Sequence, residues 1–324
     1  MKSQRKFGIP VACTILSLFS YLTIFSTAEA FFHSLRSTLV KMKPSLRLNS
    51  FSDSSSEEET VKRIVFIRHG RTYMNDFING IHYGTPGFTD VFPDTEENNY
   101  KYKDSPLAPT GLDEVKALNE LLRNLKENRP GASEALSLSE EDSRFLEELD
   151  LVVTSPLTRA LQTMEMGLYE HIRSRDIPIM ALPEAAERIY LISDHGKTRS
   201  QLKRQYEFVD FDSGFDPELG EHDSWHYTPS AEDIKNYEEW RPHGEGQVYA
   251  TLGESQDYFD LRMSRLYHWL NTSKANTIAV VCHAGVIDWM LQEIFDNCEL
   301  RIVSFDKLKP RALRRMEELE QKIS

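Results

Sequence analysis

Two histidines and two arginines stand at or just past the ends of apolar runs that are far apart in the chain. The first run, Val61 to Ile67, is short and rich in β-branched residues, and it stops abruptly at Arg68-His69-Gly70. A buried parallel strand that delivers side chains to a site at its carboxyl end reads this way. An imidazole there can act as a nucleophile toward an anionic substrate, with the guanidinium neutralising the incoming charge and the glycine letting the backbone come close. A second run, Leu149 to Val153, is ended by Thr154-Ser155-Pro156, and Arg159 falls in the first turn of the helix that follows. A guanidinium in that position can join an anion at the positive end of the helix. A third run, Thr277 to Cys282, is ended by His283-Ala284-Gly285. In an open parallel sheet such strand ends converge on one crevice, so Arg68, His69, Arg159 and His283 are expected to form a phosphate cage.

The elements that must position these groups follow from periodicity. Helical spacing at Val115, Leu118, Leu121, Leu122 and Leu125 predicts a helix entered from Asp104 through Gly111. Further helices are expected from Leu157 to about Ile172, from Ser200 to Tyr206, from Asp257 to Leu270 and from Val286 to Phe295, with strands at Ile177 to Leu182 and Leu300 to Val303. The alternation predicts an α/β fold: a mostly parallel, doubly wound sheet with helices on both faces. Residues 75–104 show no period and read as a long loop, and residues 129–140 as a surface linker. Residues 184–256 are aromatic, charged and Gly/Pro-rich, and are expected to form a cap-like insertion over the site. Residues 61–305 make the catalytic domain in this reading, and residues 306–324 a charged helix or tail.

Composition limits the partners. The net charge is −13, and the first 50 residues hold seven basic residues against the single acid Glu29, so the body is more acidic still. Such a body repels nucleic acid and anionic lipid, and any phosphate pocket must be a local basic island. Cys282 and Cys298 are the body's cysteines, too few for a disulfide framework or a zinc pattern. Strand alternation turns Cys282 away from His283 and into the core. His195, His222, His226 and His243 lack metal-ligand spacing, so neither a metal nor a cofactor is expected. Trp225, Trp240 and Tyr249 read as packing of the insertion. Lys197 and Arg199 suit either a solvated rim or a grip on a second anionic group.

These residues carry a family resemblance. Arg68-His69-Gly70-Arg71-Thr72, Ser155 through Thr163, and Val280-Val281-Cys282-His283-Ala284-Gly285 resemble, in order, the three signatures of the histidine phosphatase superfamily, phosphoglycerate mutase-like; Asn75 and Leu107 to Gly111 fit as well. The resemblance spans roughly residues 61–303. It implies a phosphoglycerate mutase-like fold, His69 as the attacking group, and Arg68, Arg159, His283 and Asn75 as holders of the phosphoryl oxygens. It also implies a carboxylic acid shortly after the third strand that protonates the leaving oxygen. Glu184 and Glu187 both qualify, and the spacing of Glu187 to Asp194 resembles a phosphatase branch whose acid lies seven residues before an aspartate, which favours Glu187.

The amino terminus reads as a leader. Lys2, Arg5 and Lys6 precede an apolar stretch that ends in Thr27-Ala28-Glu29-Ala30, the form of a signal peptide over residues 1–30; a membrane anchor is the competing reading. Residues 31–50 lack acids and are rich in Ser and Thr, as transit peptides are, and the whole resembles the bipartite presequences of algae with secondary plastids. A plastid is the expected destination and secretion the alternative, with no stable membrane association after cleavage. Residues 51–60 read as a disordered spacer.

Together these readings predict a metal-independent phosphatase that hydrolyses small phosphomonoesters through a phosphohistidine. A phosphoglycerate mutase-type isomerase is one competitor, since Glu187-Arg188-Ile189-Tyr190 is similar to the mutase motif around its acid. A non-catalytic phosphate-binding module is another. Neither the substrate nor the oligomeric state is legible in the sequence.

Overall fold

The computed structural model describes residues 61–81, 87, 95–218, 220, 224–227, 253–315 and 317–318. The expected signal peptide, transit peptide and spacer lie outside these residues, as do much of the expected loop at 82–94 and of the insertion at 228–252. The described residues up to Arg315 belong to one compact unit; Glu317 and Glu318, which are helical, fall outside it.

The larger unit is built on five strands: β1 (Arg63–Arg68), β2 (Leu151–Thr154), β3 (Ile179–Ala181), β4 (Thr277–Cys282) and β5 (Leu300–Ser304). Their order in the sheet is β3-β2-β4-β1-β5. All neighbouring strands run parallel except β5, which pairs antiparallel with β1 at one edge. The central strands are buried on both faces, which is why they read as continuous apolar runs, whereas β5 is only partly buried.

Seven longer helices frame the sheet and its loops among the described residues, beside the four-residue helices Ala132–Ala135 and Phe145–Glu148: α1 (Tyr73–Gly80), α2 (Glu96–Tyr102), α3 (Pro109–Lys126), α4 (Thr158–Met164, continued by Glu165–Tyr169 and Glu170–Ile172), α5 (Arg199–Gln205), α6 (Gln256–Thr272) and α7 (Ala284–Leu291). The middle of α4 is a π-helical turn. Side-chain alternation along the strands sends two sets of apolar groups to opposite faces. Val65, Ile67, Ala279 and Val281 pack with Leu118, Leu122, Leu161 and Met164 of α3 and α4. Ile64, Phe66, Ile278, Val280 and Cys282 pack with Met263, Leu266, Ile287 and Trp289 of α6 and α7. The doubly wound α/β arrangement expected from the sequence is present, with Cys282 in the core as predicted.

The expected loop from Asn75 to Asp104 needs correction, because helices occupy both of its ends. Thr72 caps α1 through a capping box in which its hydroxyl accepts from the Asn75 amide while the Asn75 side chain accepts from the Thr72 amide. Thr95 caps α2 in the simpler way. The second helix is polar; the first carries Met74, Phe77 and Ile78 at helical spacing, but over only eight residues, so its apolar period is too brief to stand out. The linker at 129–140 likewise contains a short helix, Ala132–Ala135, with Ala132 buried.

Candidate functional site

The site lies where β1, β2 and β4 end together. Arg68 is in register with Cys282, and Thr154 with Val281. The next amides continue the ladder, His69 to the Cys282 carbonyl at 3.0 Å and Ser155 to the Val281 carbonyl at 3.0 Å. His69, Ser155 and His283 are therefore level with one another at the carboxyl edge of the sheet. Close packing fixes the loop after β1: a Cβ on Gly111 would stand 1.9 Å from the Arg71 carbonyl oxygen, so only glycine lets the first turn of α3 rest against it.

The His69 and His283 rings lie 5.0 Å apart, centroid to centroid. Nδ1 of His69 is 2.7 Å from the Gly70 carbonyl oxygen. A carbonyl only accepts, so the ring proton sits on Nδ1 and the Nε2 lone pair is left without a protein partner. Burial, followed by the charge of Arg159, holds this imidazole well below its ordinary pKa, so it is neutral near pH 7. His283 is held from both sides. Arg159 Nε donates to its Nδ1 at 3.2 Å, and Nε2 donates to the Ser155 hydroxyl at 2.7 Å. Burial and the Arg159 charge hold it neutral as well.

Arg159 is 4 % exposed and is not held by histidine alone. Its Nη1 donates to the Ser193 carbonyl at 2.6 Å and its Nη2 to Asp194 at 2.9 Å, so the buried cation has a carboxylate partner that the sequence reading did not assign. The other oxygen of Asp194 accepts from the Tyr190 and Leu191 amides. One carboxylate thus ties the cationic group to the segment that carries Glu187. Arg68 donates from Nη1 to the Phe295 carbonyl at 2.5 Å, while its Nε is buried without any partner. An unpartnered guanidinium nitrogen beside a nucleophile is a donor placed for an anion.

The two candidate acids separate. The Glu187 carboxyl accepts from the Gly285 amide at 3.1 Å, at the start of α7 and two residues past His283, and from the Arg188 amide at 2.9 Å. Burial, reinforced by the nearby Asp194 charge, raises its pKa, with Arg159 and the two amides opposing. The approach depends on glycine, because a Cβ on Gly285 would stand 2.2 Å from Glu187 Oε1. Burial also raises the Glu184 pKa, yet the charges it feels are Arg262 and Arg265. Glu184 therefore sits beside a different group of cations, and the structure joins Glu187 to the histidines.

Asn75 is occupied in the α1 cap through its side-chain oxygen, and among the described residues no hydrogen bond ties it to the cage. Lys197 reaches Gln205, and the largely buried Arg199 lies near Asp212. Trp225 packs against Phe215 and donates to the Lys197 carbonyl, as expected of a packing residue. His195 and His226 do come together, with ring centroids 4.7 Å apart. Among the described residues no group of three or more His, Cys, Asp or Glu side chains is arranged to hold a metal ion.

Sequence reasoning missed three supports of this site. Ser155 was legible only as part of a signature. Asp104, recognised only as an entry to α3, accepts from the Thr158 amide at 2.9 Å and from its hydroxyl at 2.6 Å, capping α4 from 54 residues away. Glu254 and Arg262 form a buried pair behind Glu187. None of these carries a local pattern, because the segments they hold are remote in sequence: Ser155 meets His283, Asp104 meets Thr158, and Arg262 reaches the carbonyls of Glu184 and Ala186.

An α/β protein with paired imidazoles, guanidinium donors and a buried carboxyl at the carboxyl edge of a parallel sheet belongs to the phosphoryl-handling class. The family model described as the histidine phosphatase superfamily (branch 1) matches residues 200–317. That stretch contains His283, and the match supports the histidine phosphatase resemblance for this part of the chain. No curated protein matches the sequence. Solved structures similar to the chain include an alpha-ribazole phosphatase from Shigella flexneri, at 20% identity over 70% of this chain and 76% of that one, with a TM-score of 0.35. A mycobacterial hydrolase is similar at 18% identity over 75% and 91%, TM-score 0.37. A mycobacterial glucosyl-3-phosphoglycerate phosphatase is similar at 14% over 76% and 95%, TM-score 0.34. At such values nothing further rests on these three structures.

Proposed function

We propose that the protein is a phosphomonoesterase that works through a phosphohistidine. His69 Nε2 attacks phosphorus in line, the P–O bond to the alcohol breaks, and Glu187 gives its proton to the departing oxygen. Glu187, now ionised, accepts a proton from water as that water attacks the phosphohistidine, and inorganic phosphate leaves. Arg68 and Arg159 hold the phosphoryl oxygens, and His283 joins them by exchanging a protein partner for the anion. Neither step calls for a metal or cofactor.

The observation that supports this reading best is the opposed direction of two pKa shifts at the carboxyl edge of the sheet. Burial pushes the His69 imidazole down and the Glu187 carboxyl up, the directions that suit a nucleophile and a general acid. A module that only binds phosphate has no use for that pairing. The test is incubation with a phosphate-labelled monoester followed by denaturation. Acid-labile label on the wild type and none on His69→Ala supports the proposal; label that survives the substitution refutes it. Isomerisation of 3-phosphoglycerate with a bisphosphate primer, without release of phosphate, would indicate a mutase instead. Alcohol product identity is read from a phosphoester panel. A plastid remains the proposed destination, tested by where residues 1–50 carry a fluorescent fusion.

A further inference from the structure

Glu187 sits on chain without regular structure, between the short turn Pro183–Ala185 and the turn Ile192–Asp194, so no sheet ladder or long helix holds it. Its support comes from α6. Arg262 donates from Nη1 to the carbonyls of Glu184 and Ala186, both at 2.8 Å, and from Nη2 to the carbonyl of Glu187 at 3.3 Å. The remaining donors go to Glu254, Nε to one carboxylate oxygen at 2.9 Å and Nη2 to the other at 2.8 Å. A guanidinium has five N–H groups, and here every one is spent on the protein. Arg262 therefore has no donor left for a substrate.

Glu254 closes the arrangement from the other side. Its side chain is fully buried. Its amide donates to the Ile189 carbonyl at 2.8 Å, its carboxylate accepts from the Ile189 amide at 3.3 Å, and its carbonyl accepts from Arg188 Nε at 2.8 Å. The backbone on both sides of Glu187 is thus pinned to one buried ion pair. Breaking such a pair leaves an uncompensated buried charge, so the arrangement is rigid in the folded state.

Building on the phosphatase reading, we propose that the Glu254–Arg262 pair is a positioning device for the acid: it holds the 184–189 backbone so that the Glu187 carboxyl reaches the leaving oxygen. Arg262 grips Glu187 through its carbonyl alone, which leaves the carboxyl to the Gly285 and Arg188 amides.

The test compares kcat/KM for two phosphomonoesters in wild type, Arg262→Gln and Glu254→Gln. β-Glycerophosphate has a poor leaving alcohol that needs a proton. 4-Nitrophenyl phosphate has a good leaving group that departs without one. A displacement of the acid by about 1 Å is expected to cost roughly 100-fold on the alkyl ester, while the aryl ester changes only about threefold, within the scatter expected when acid catalysis is not needed. In a Glu187→Gln background, Arg262→Gln should cost nothing further on the alkyl ester, since the two act through one proton transfer. Equal losses on both esters, no loss on either, or full additivity with Glu187→Gln would overturn the proposal. Should Arg262→Gln not fold, the near-isosteric Glu254→Gln carries the same comparison. Wild-type protein that turns over neither ester brings down the phosphatase reading itself, and this inference with it.

Discussion

Asp194→Asn removes one negative charge from the centre of the site while keeping its shape. In the structure Asp194 and Arg159 are both buried, 6 % and 4 % exposed, and their ion pair is 2.9 Å long. Asparagine can still accept from Arg159 through one oxygen, but its NH2 faces the Tyr190 and Leu191 amides where a carboxylate oxygen now accepts. Losing the partner of a buried charge costs about 3–5 kcal/mol. For a domain of this size each kcal/mol lowers Tm by roughly 2–4 °C, which places the expected fall at about 6–20 °C. The deficit should shrink when inorganic phosphate is added, because an anion in the cage compensates Arg159 in place of Asp194. Thermal melts of both proteins with and without saturating phosphate measure this. The same substitution removes a charge that raises the Glu187 pKa, so the alkaline limb of the kcat/KM profile should move to lower pH. A deficit under about 1 kcal/mol, the range of an exposed pair, or one that phosphate leaves unchanged, would refute the reasoning.

Two further perturbations separate stability from chemistry. Gly285→Ala places a methyl where Glu187 Oε1 now sits, but the clash is with the end of a flexible side chain rather than with backbone. Stability should change by no more than about 1 kcal/mol, the helix preference for alanine offsetting the lost Glu187 bond, while kcat/KM on an alkyl phosphate falls by about 100-fold; a melt and a steady-state assay on one preparation decide it. Asp104 has its carboxyl pushed up to about 6 by burial, against an ordinary 3.8. Its folded pKa lies above its unfolded one, so its contribution is fully present below about pH 4 and is lost as pH rises through about 6. That shift corresponds to about 3 kcal/mol. Relative to wild type, Asp104→Asn should gain about that much between pH 4 and pH 7 in urea denaturation, and a difference independent of pH would show that the carboxyl does not titrate there.

The order of strands and helices was legible because buried parallel strands and amphipathic helices leave periods in the chain. The run Thr277 to Cys282 is the observed β4 residue for residue, and Val115, Leu118, Leu122 and Leu125 are the buried face of α3. His69, Arg159 and His283 were legible for a related reason: the two histidines follow a strand directly and Arg159 opens the helix after one, so their placement is inherited from the sheet. Helices α1 and α2 escaped notice: α1 carries an apolar stripe of only Met74, Phe77 and Ile78, and α2 has no buried residue and rests on its Thr95 cap.

Residue types and their spacing along the chain were enough to name the candidate groups and to expect that a parallel sheet gathers them. The direction in which each group's pKa moves was settled by folding alone. The His69 imidazole is pushed down and the Glu187 carboxyl up because burial removes water and brings in the charges of Arg159 and Asp194. The supports Ser155, Asp104, Asp194 and the Glu254–Arg262 pair belong to the same category. The bonds of Ser155, Asp104 and Asp194, and those that Arg262 sends to Glu184 and Ala186, join segments tens of residues apart, and contact at such separation leaves no mark on local pattern.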